Sequence, residues 1–395
     1  MRRAGSAFAA ASVFLVGAAG CGHASLHARA AHAAHGRVSF TIVKATVVAS
    51  TSPDVSVLAN KADATFRAVR HVGDLPKVAV ADAVADVNSD GKPDLVTYYN
   101  TSDDPDSCSE GDGVSVCPAY GYVALNRGAD TFAPLRQVYE TDTADIAAVA
   151  AGDLNGDAKP DLAIAYSDSV YGVDGVEVLR NRGSGRFEKR GDRPAHFLAT
   201  TQPPIAVEVA DLNGDGNLDV VTANSDVADS NELDKGSISV FLSRGDGSFA
   251  PRRDYLIGGG ADAIAVGDLN GDDRPDVAVA RGEAGPFISV LFNRGDGAFA
   301  PKRDYRGGAP DPYAAAIGDL DGDGHADLAT VSDHGISVLL NRRDGKFRPK
   351  VDFRMGTTGD LIASGDLNGD GRRDLVITSS YGAPGEPALV LVNRG

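Results

Sequence analysis

The chain has 395 residues, 43% hydrophobic and 24% charged, with 55 Asp and Glu against 38 Lys and Arg and a formal net charge of −17. Such an acidic balance excludes a nucleic-acid binder, which needs clustered Lys and Arg. It also makes the metal-free chain self-repelling, and six divalent cations would bring the charge to about −5.

Arg2 and Arg3 precede an apolar run from Ala7 to Ala19 that is too short to span a bilayer as a mature helix. Residues 1–21 therefore read as an export signal. Ala18-Ala19-Gly20-Cys21 resembles a bacterial lipobox, in which Cys21 is lipidated and becomes the first mature residue, although Ala18 stands where Leu is usual. The alternative is ordinary cleavage at Ala31-His32-Ala33. Residues 22–37, Ala-rich and carrying His23, His27, His32 and His35, are expected to be a flexible tether and not a metal site. Cys108 and Cys117 fall in one insertion and are expected to form a disulfide, which suits an exported protein and leaves Cys21 as the odd cysteine.

From residue 38 to 395 the chain repeats. Its strongest signal is an acidic nonamer that recurs six times, with side-chain oxygens at positions 1, 3, 5 and 9. The copies carry these at Asp86, Asn88, Asp90 and Asp94; Asp153, Asn155, Asp157 and Asp161; Asp211, Asn213, Asp215 and Asp219. The later copies have Asp268, Asn270, Asp272 and Asp276; Asp319, Asp321, Asp323 and Asp327; Asp366, Asn368, Asp370 and Asp374. Calcium takes six to eight oxygen ligands, and a short carboxylate-rich loop with a backbone carbonyl at position 7 supplies them. That carbonyl belongs to Lys92, Lys159, Asn217, Arg274, His325 and Arg372, so the chain is expected to hold up to six structural Ca²⁺. Magnesium fits less well, because it keeps water instead of entering an all-protein cage.

Nothing acidic stands at position 12, where Thr97, Ile164, Thr222, Val279, Thr330 and Ile377 occur, and the segment after position 9 has strand composition. These are calcium loops within β-hairpins. Glycine at position 6 (Gly91, Gly216, Gly324, Gly371) supplies a positive φ. Asp273 tolerates that conformation, whereas Ala158 costs about 1–2 kcal/mol there, so the second loop is expected to bind most weakly. One such loop alone would be an ordinary polar turn. Six in register, with carboxylates at positions 1, 5 and 9 throughout, are not.

Each nonamer is flanked by a first and a second strand. A third strand recurs seven times, at 55–60, 122–126, 176–181, 238–243, 288–293, 336–341 and 388–393. After six of these a turn leads to Phe66, Phe132, Phe187, Phe249, Phe299 or Phe347, which is expected to open a fourth strand. Four antiparallel strands per unit, at a spacing of 47 to 67 residues, predict an all-β propeller. Seven third strands suggest seven blades. Six is the alternative, because residues 38–54 carry no nonamer. The chain ends after its last third strand, so a strand within Val38–Val48 is expected to supply the missing fourth and close the ring.

This pattern resembles the FG-GAP or VCBS repeat family, the propeller of integrin α-subunits and of many bacterial surface proteins. The resemblance covers residues 38–395, with Gly308-Ala309-Pro310 the clearest surviving signature. It implies that the nonamers join the first two strands of each blade and bind Ca²⁺. It also implies that the second-to-third and fourth-to-first connections lie on the opposite face.

That opposite face would collect the acidic insertions 99–119 and 224–237, with Tyr98, Tyr99, Tyr120, Tyr122, Tyr166 and Tyr171 near in sequence. Arg244-Gly245-Asp246 and Arg294-Gly295-Asp296 could serve adhesion, but they fall where other copies have simple turns. Neither His-Glu-x-x-His nor Gly-x-Ser-x-Gly occurs. The expected function is an exported, monomeric, calcium-stabilised propeller that binds a protein or glycan at the cell surface, touching the membrane only through an N-terminal lipid. A polysaccharide-acting enzyme or a calcium-dependent lectin on the same scaffold are the alternatives, the lectin being disfavoured by the absence of Trp.

Overall fold

The computed structural model describes residues 14–17, 32–35, 38–45, 54–60, 66–68, 80–100, 108–111, 114–128, 131–141, 144–168, 173–188, 196–225, 236–281, 287–307, 312, 314–332, 335–342, 344–354, 361–365, 373–378 and 388–393. Every regular element among them is a β-strand. Before the first nonamer come β1 (Phe14–Gly17), β2 (His32–His35), β3 (Val38–Ala45), β4 (Asp54–Asn60) and β5 (Phe66–Ala68). The first nonamer unit holds β6 (Val80–Ala85), β7 (Asp94–Asn100), a hairpin of β8 (Ser109–Gly111) and β9 (Val114–Val116), then β10 (Ala119–Ala124), a ribbon of β11 (Asn126–Gly128) and β12 (Thr131–Phe132), and β13 (Arg136–Thr141). The second holds β14 (Asp145–Gly152), β15 (Asp161–Asp168), β16 (Val173–Leu179), a ribbon of β17 (Asn181–Gly183) and β18 (Arg186–Phe187), and β19 (His196–Ala199).

The third comprises β20 (Pro204–Ala210), β21 (Asp219–Asn224), β22 (Ser237–Phe241) and β23 (Arg253–Leu256). The fourth has β24 (Ala263–Gly267), β25 (Asp276–Arg281), β26 (Phe287–Leu291) and β27 (Arg303–Arg306), and the fifth β28 (Ala314–Gly318), β29 (Asp327–Ser332), β30 (Gly335–Leu339) and β31 (Val351–Phe353). The sixth contributes β32 (Leu361–Gly365), β33 (Asp374–Thr378) and β34 (Ala388–Asn393).

The protein is a β-propeller. Among the described residues the first five units each form a sheet of four antiparallel strands in chain order, and each nonamer joins the first strand to the second. First strands β6, β14, β20, β24, β28 and β32 pack side by side in succession. The sixth sheet is completed from the other end of the chain, where β3 pairs antiparallel with β34 from Phe40 opposite Asn393 to Ala45 opposite Ala388. This is the closing strand expected within Val38–Val48. A seventh sheet, β1-β4-β5, has three strands.

Within residues 22–37, His32–His35 form β2, which pairs with β3; the rest of that stretch lies outside the described residues. One expectation needs correction. The repeat phenylalanines do not open the fourth strands, with Phe66 the exception. Phe132 and Phe187 close the small ribbons, and Phe249, Phe299 and Phe347 bridge Ser243, Asn293 and Asn341. Four of these are followed within two residues by Pro134, Pro251, Pro301 or Pro349. Proline has no N–H to give a ladder, so the fourth strand starts only after it.

Burial explains the composition of each strand. β7, β15, β21, β25 and β29 are buried on both faces along almost their whole length, because each sits inside a sheet flanked by neighbouring sheets. Hence their near-continuous apolar runs. Fourth strands β23 and β27 are outer edges, and their Arg-Asp-Tyr sequences are exposed at the charges, which discourages pairing with another chain. The tyrosines turn inward to the next unit: Tyr255 meets Phe299 edge-on at 5.5 Å and Tyr305 meets Phe347 at 4.9 Å. At the inner strands the approach is closer still, since a Cβ on Gly152 would lie 2.6 Å from Leu218 of the next unit.

Deleting residues 38–45 should bare the β34 edge and lower the thermal midpoint by more than about 5 °C. Circular dichroism melting of the truncated and full chains checks this, and equal midpoints would refute the closing role of β3.

Candidate metal centres

The five described nonamers share one backbone scaffold. The position 1 carboxylate curls the loop around itself: Asp319 accepts N–H bonds from Gly322 (2.7 Å), Asp323 (3.1 Å) and Gly324 (2.9 Å). Asp153, Asp211 and Asp268 do the same at positions 4, 5 and 6. Asp86 accepts from positions 5 and 6. Position 5 accepts the N–H of position 7 in each of the five described loops, at 2.8 to 3.2 Å.

Position 6 has positive φ throughout, at Gly91, Ala158, Gly216, Asp273 and Gly324. Position 4 does too, which the sequence reading did not anticipate: Gly156, Gly214, Gly271 and Gly322 adopt it freely, but Ser89 holds φ 61° with a Cβ in place. Loop one therefore carries the same kind of backbone strain as loop two with Ala158.

The position 9 aspartates Asp94, Asp161, Asp219, Asp276 and Asp374 have no solvent exposure, and Asp327 only 1%. In the five described loops one oxygen accepts the N–H of position 2 (Val87, Leu154, Leu212, Leu269 or Leu320) at 2.8 to 3.2 Å. The other accepts, at 2.7 Å, the N–H of a residue two places past the third strand: Asn126, Asn181, Ser243, Asn293 or Asn341; Asn393, which ends β34, does so for Asp374. Two charge-assisted bonds hold each carboxylate, but burial dominates. It pushes Asp94, Asp161 and Asp219 up to about 6 and Asp276 and Asp327 up to about 7, against the backbone N–H bonds that pull down.

Those third-strand residues went unrecognised in the sequence, although the recurring Asn at the end of each quoted strand was a usable signal. Their side chains reach in two directions. Asn293 Nδ2 donates to the carbonyl of Pro275 in its own loop (2.9 Å) and to that of Leu212 in the preceding loop (2.8 Å). Asn181, Asn341 and Asn393 repeat this with Pro160 and Val87, Ala326 and Leu269, and Arg373 and Leu320. Ser243 Oγ donates to the inter-unit carbonyl of Leu154 at 3.2 Å and accepts the N–H of Gly245 at 3.1 Å, but gives nothing to its own nonamer loop.

Loop five gives the clearest test of fit to a cation. Asp319, Asp321 and Asp327 bring carboxylate oxygens within 4.8 Å of one another. The Asp321 side chain is 1% exposed, neither oxygen has a hydrogen-bond partner, and the nearest cation, Arg348, stands 3.9 Å away. Burial, then the neighbouring Asp323 charge, holds its carboxyl above the usual range. A buried carboxylate that accepts no hydrogen bond and has only a distant cation costs several kcal/mol unless a closer one meets it, so this donor set suits a hard divalent ion.

In the other loops position 3 is Asn, and two of these amides donate within their own loop, Asn155 to Asp161 (2.8 Å) and Asn213 to Asp215 (2.9 Å). Lys92 and Lys159 add ion pairs to the position 5 carboxylates Asp90 (3.0 Å) and Asp157 (2.9 Å), which an incoming ion must share. Asp366, Asn368, Asp370 and Arg372 of loop six lie outside the described residues, as does Cys21. Cys108 and Cys117 are disulfide-bonded, bracketing the β8/β9 hairpin. Both Arg-Gly-Asp triplets are tight turns between third and fourth strands, each packed against the preceding or same unit's nonamer: a Cβ on Gly156 would meet the Gly245 carbonyl at 2.7 Å, and Arg274 bonds the Arg294 carbonyl.

Four segments of the chain, 155–222, 225–279, 268–330 and 319–377, match the FG-GAP-like repeat. Two similar solved structures are an Agrocybe aegerita lectin described for recognition of non-reducing terminal N-acetylglucosamine and a Photorhabdus luminescens Tc holotoxin pore. The lectin is 18% identical with a TM-score of 0.49, covering 90% of this chain and 87% of its own. The toxin is also 18% identical, with a TM-score of 0.38, and the match takes in 90% of this chain but 18% of the toxin's. No curated protein matches the chain.

Two predictions follow from the loop geometry. Because burial raises the position 9 carboxyls, the folded metal-free protein binds more protons than the unfolded chain between about pH 4 and 7, so its stability falls as pH rises through that window. Metal-free melting midpoints should drop from pH 5 to pH 8 and level off above it; a rising profile would contradict this. Separately, Ala158→Gly should relieve the left-handed strain and stabilise the protein by about 1 kcal/mol, read from urea unfolding.

Proposed function

The chain belongs to the FG-GAP-like repeat family, and on that premise we propose that it is an exported β-propeller whose nonamer loops hold structural Ca²⁺ and whose other end binds a protein or glycan partner at the cell surface. The observation that carries the calcium reading is Asp321, a buried carboxylate with no hydrogen-bond partner, beside Asp319 and Asp327. When bound, calcium supplies the positive charge that these carboxylates otherwise lack. The residues that would hold it are positions 1, 3, 5 and 9 of each loop, with the position 7 carbonyl, and their task is structural.

Loop five is the best site on three counts: an acid at position 3, glycine at positions 4 and 6, and no lysine at position 7. Loops one and two are the poorest, through Ser89 and Ala158 and through Lys92 and Lys159.

The disulfide between Cys108 and Cys117 supports an oxidising, extracytoplasmic location. It also supports a binding role for the 99–119 insertion, since a braced loop loses less entropy on meeting a partner. Tyr120 and Tyr122, with ring centroids 6.5 Å apart at the base of that insertion, add aromatic surface. Removal of residues 1–20 on export would take β1 from the seventh sheet and leave β4 and β5.

Melting in excess calcium and in excess chelator tests the calcium reading. The midpoint should fall by more than about 10 °C when calcium is removed, because several ions bind only the folded state. An unchanged midpoint would sink it.

A further inference from the structure

We propose that the metal loops of neighbouring blades are energetically coupled, occupation of one loop raising the affinity of the next, through the third-strand residues Asn181, Asn293, Asn341 and Asn393, with Ser243 as the weak link. The inference rests on the calcium reading above and concerns residues outside the nonamers.

The connection is continuous and short. Asp219 of loop three accepts the N–H of Leu212 at 2.9 Å. The Leu212 carbonyl accepts the side-chain amide of Asn293 at 2.8 Å, and the backbone N–H of Asn293 donates to Asp276 of loop four at 2.7 Å. Two carboxylates that serve adjacent cation sites are thus joined by three hydrogen bonds through two buried residues, Leu212 at 1% exposure and Asn293 at 4%. The same path runs from Asp94 through Val87 and Asn181 to Asp161, from Asp276 through Leu269 and Asn341 to Asp327, and from Asp327 through Leu320 and Asn393 to Asp374.

A cation that fixes the position 9 carboxylate of one loop also fixes its position 2 residue. That residue's carbonyl then holds the next blade's asparagine, whose N–H helps to place the next position 9 carboxylate. Part of the ordering needed at the second site is complete before its ion arrives, which is positive cooperativity. An amide has two hydrogens and bridges the carbonyls of both loops. A serine hydroxyl has one, and Ser243 spends it on Leu154 at 3.2 Å. The path from loop two to loop three therefore keeps its three bonds, the Ser243 one at 3.2 Å, but lacks the arm by which an asparagine is also tied to its own loop.

The test uses the full chain and calcium alone, with amide hydrogen exchange of peptides covering each nonamer read across a calcium titration. Asp268→Asn removes one charge from loop four while leaving an acceptor oxygen to curl it. It should raise the calcium midpoint of loop three by roughly 3- to 10-fold, the net worth of one ordinary hydrogen bond such as that from the Asn293 amide to the Leu212 carbonyl. Asn293→Ser, which copies what Ser243 already does, should reduce that shift to less than half, and the midpoint of loop two should move under about 2-fold. Ser243→Asn should extend the shift to loop two.

A loop three midpoint that Asp268→Asn leaves in place, or a shift that Asn293→Ser leaves undiminished, overturns the coupling while the calcium sites stand. A wild-type chain in which no nonamer gains protection with calcium overturns the calcium reading and the coupling together.

Discussion

A carboxylate with almost no contact to solvent, held by one backbone N–H from its own loop and another from the segment that follows the third strand, is the interaction on which the rest of this propeller depends. Position 9 opens the second strand and, in the five described nonamers, receives one bond from the start of its own loop and the other from the segment that follows the third strand. It fixes the hairpin, the register of strand two against strand three, and the entry to the turn that follows. Burial of six such charges is costly, and the cost is met in part by bonds of about 1.5 to 3 kcal/mol each. The remainder is what a divalent cation can supply.

From that carboxylate the structure grows outward in both directions. The amide of the third-strand asparagine carries the connection to the preceding blade, so that the ends of the blades are sewn together by polar contacts where the apolar strands give out. Further from the axis the joint is made differently, by a fourth-strand tyrosine set edge-on against the ribbon phenylalanine of the next unit. Near the axis it is made by the absence of side chains, as at Gly152 against Leu218. Polar stitch, aromatic joint and glycine contact recur because each blade meets its neighbour through the same three radii. Third-strand serines add a fourth repeat within the sheet, Ser239, Ser289 and Ser337 each bonding the fourth-strand aspartate opposite at 2.7 Å.

Much of this was legible in the residues. Period and composition predicted all-β units, the place of the nonamer between first and second strands, the positive φ at position 6, and a closing strand from the N-terminal side. Hairpin chemistry is local, and local rules govern it: an Asx-rich turn, a glycine where φ must be positive, a β-branched run after it. The errors also have local causes. Phe-Ala-Pro reads as the start of a strand because phenylalanine favours strands, yet proline at its third place delays the ladder, and the phenylalanine instead closes a turn. Ser89 is less legible, because the turn demands positive φ at position 4 as well as at position 6, and a serine carries no sign of it.

What the sequence by itself determined is the repeat unit and the chemistry of its loop, because both depend on residues fewer than ten apart whose conformations are set by sterics and by hydrogen bonds to near neighbours. Only the tertiary structure decided which of those polar groups are buried, that Asn181 reaches Val87 across 94 residues, and that Asp321 is left without a hydrogen-bond partner. Those facts depend on where one blade lies against the next, and the energy of a buried carboxylate is set by what surrounds it and not by the residues beside it in the chain.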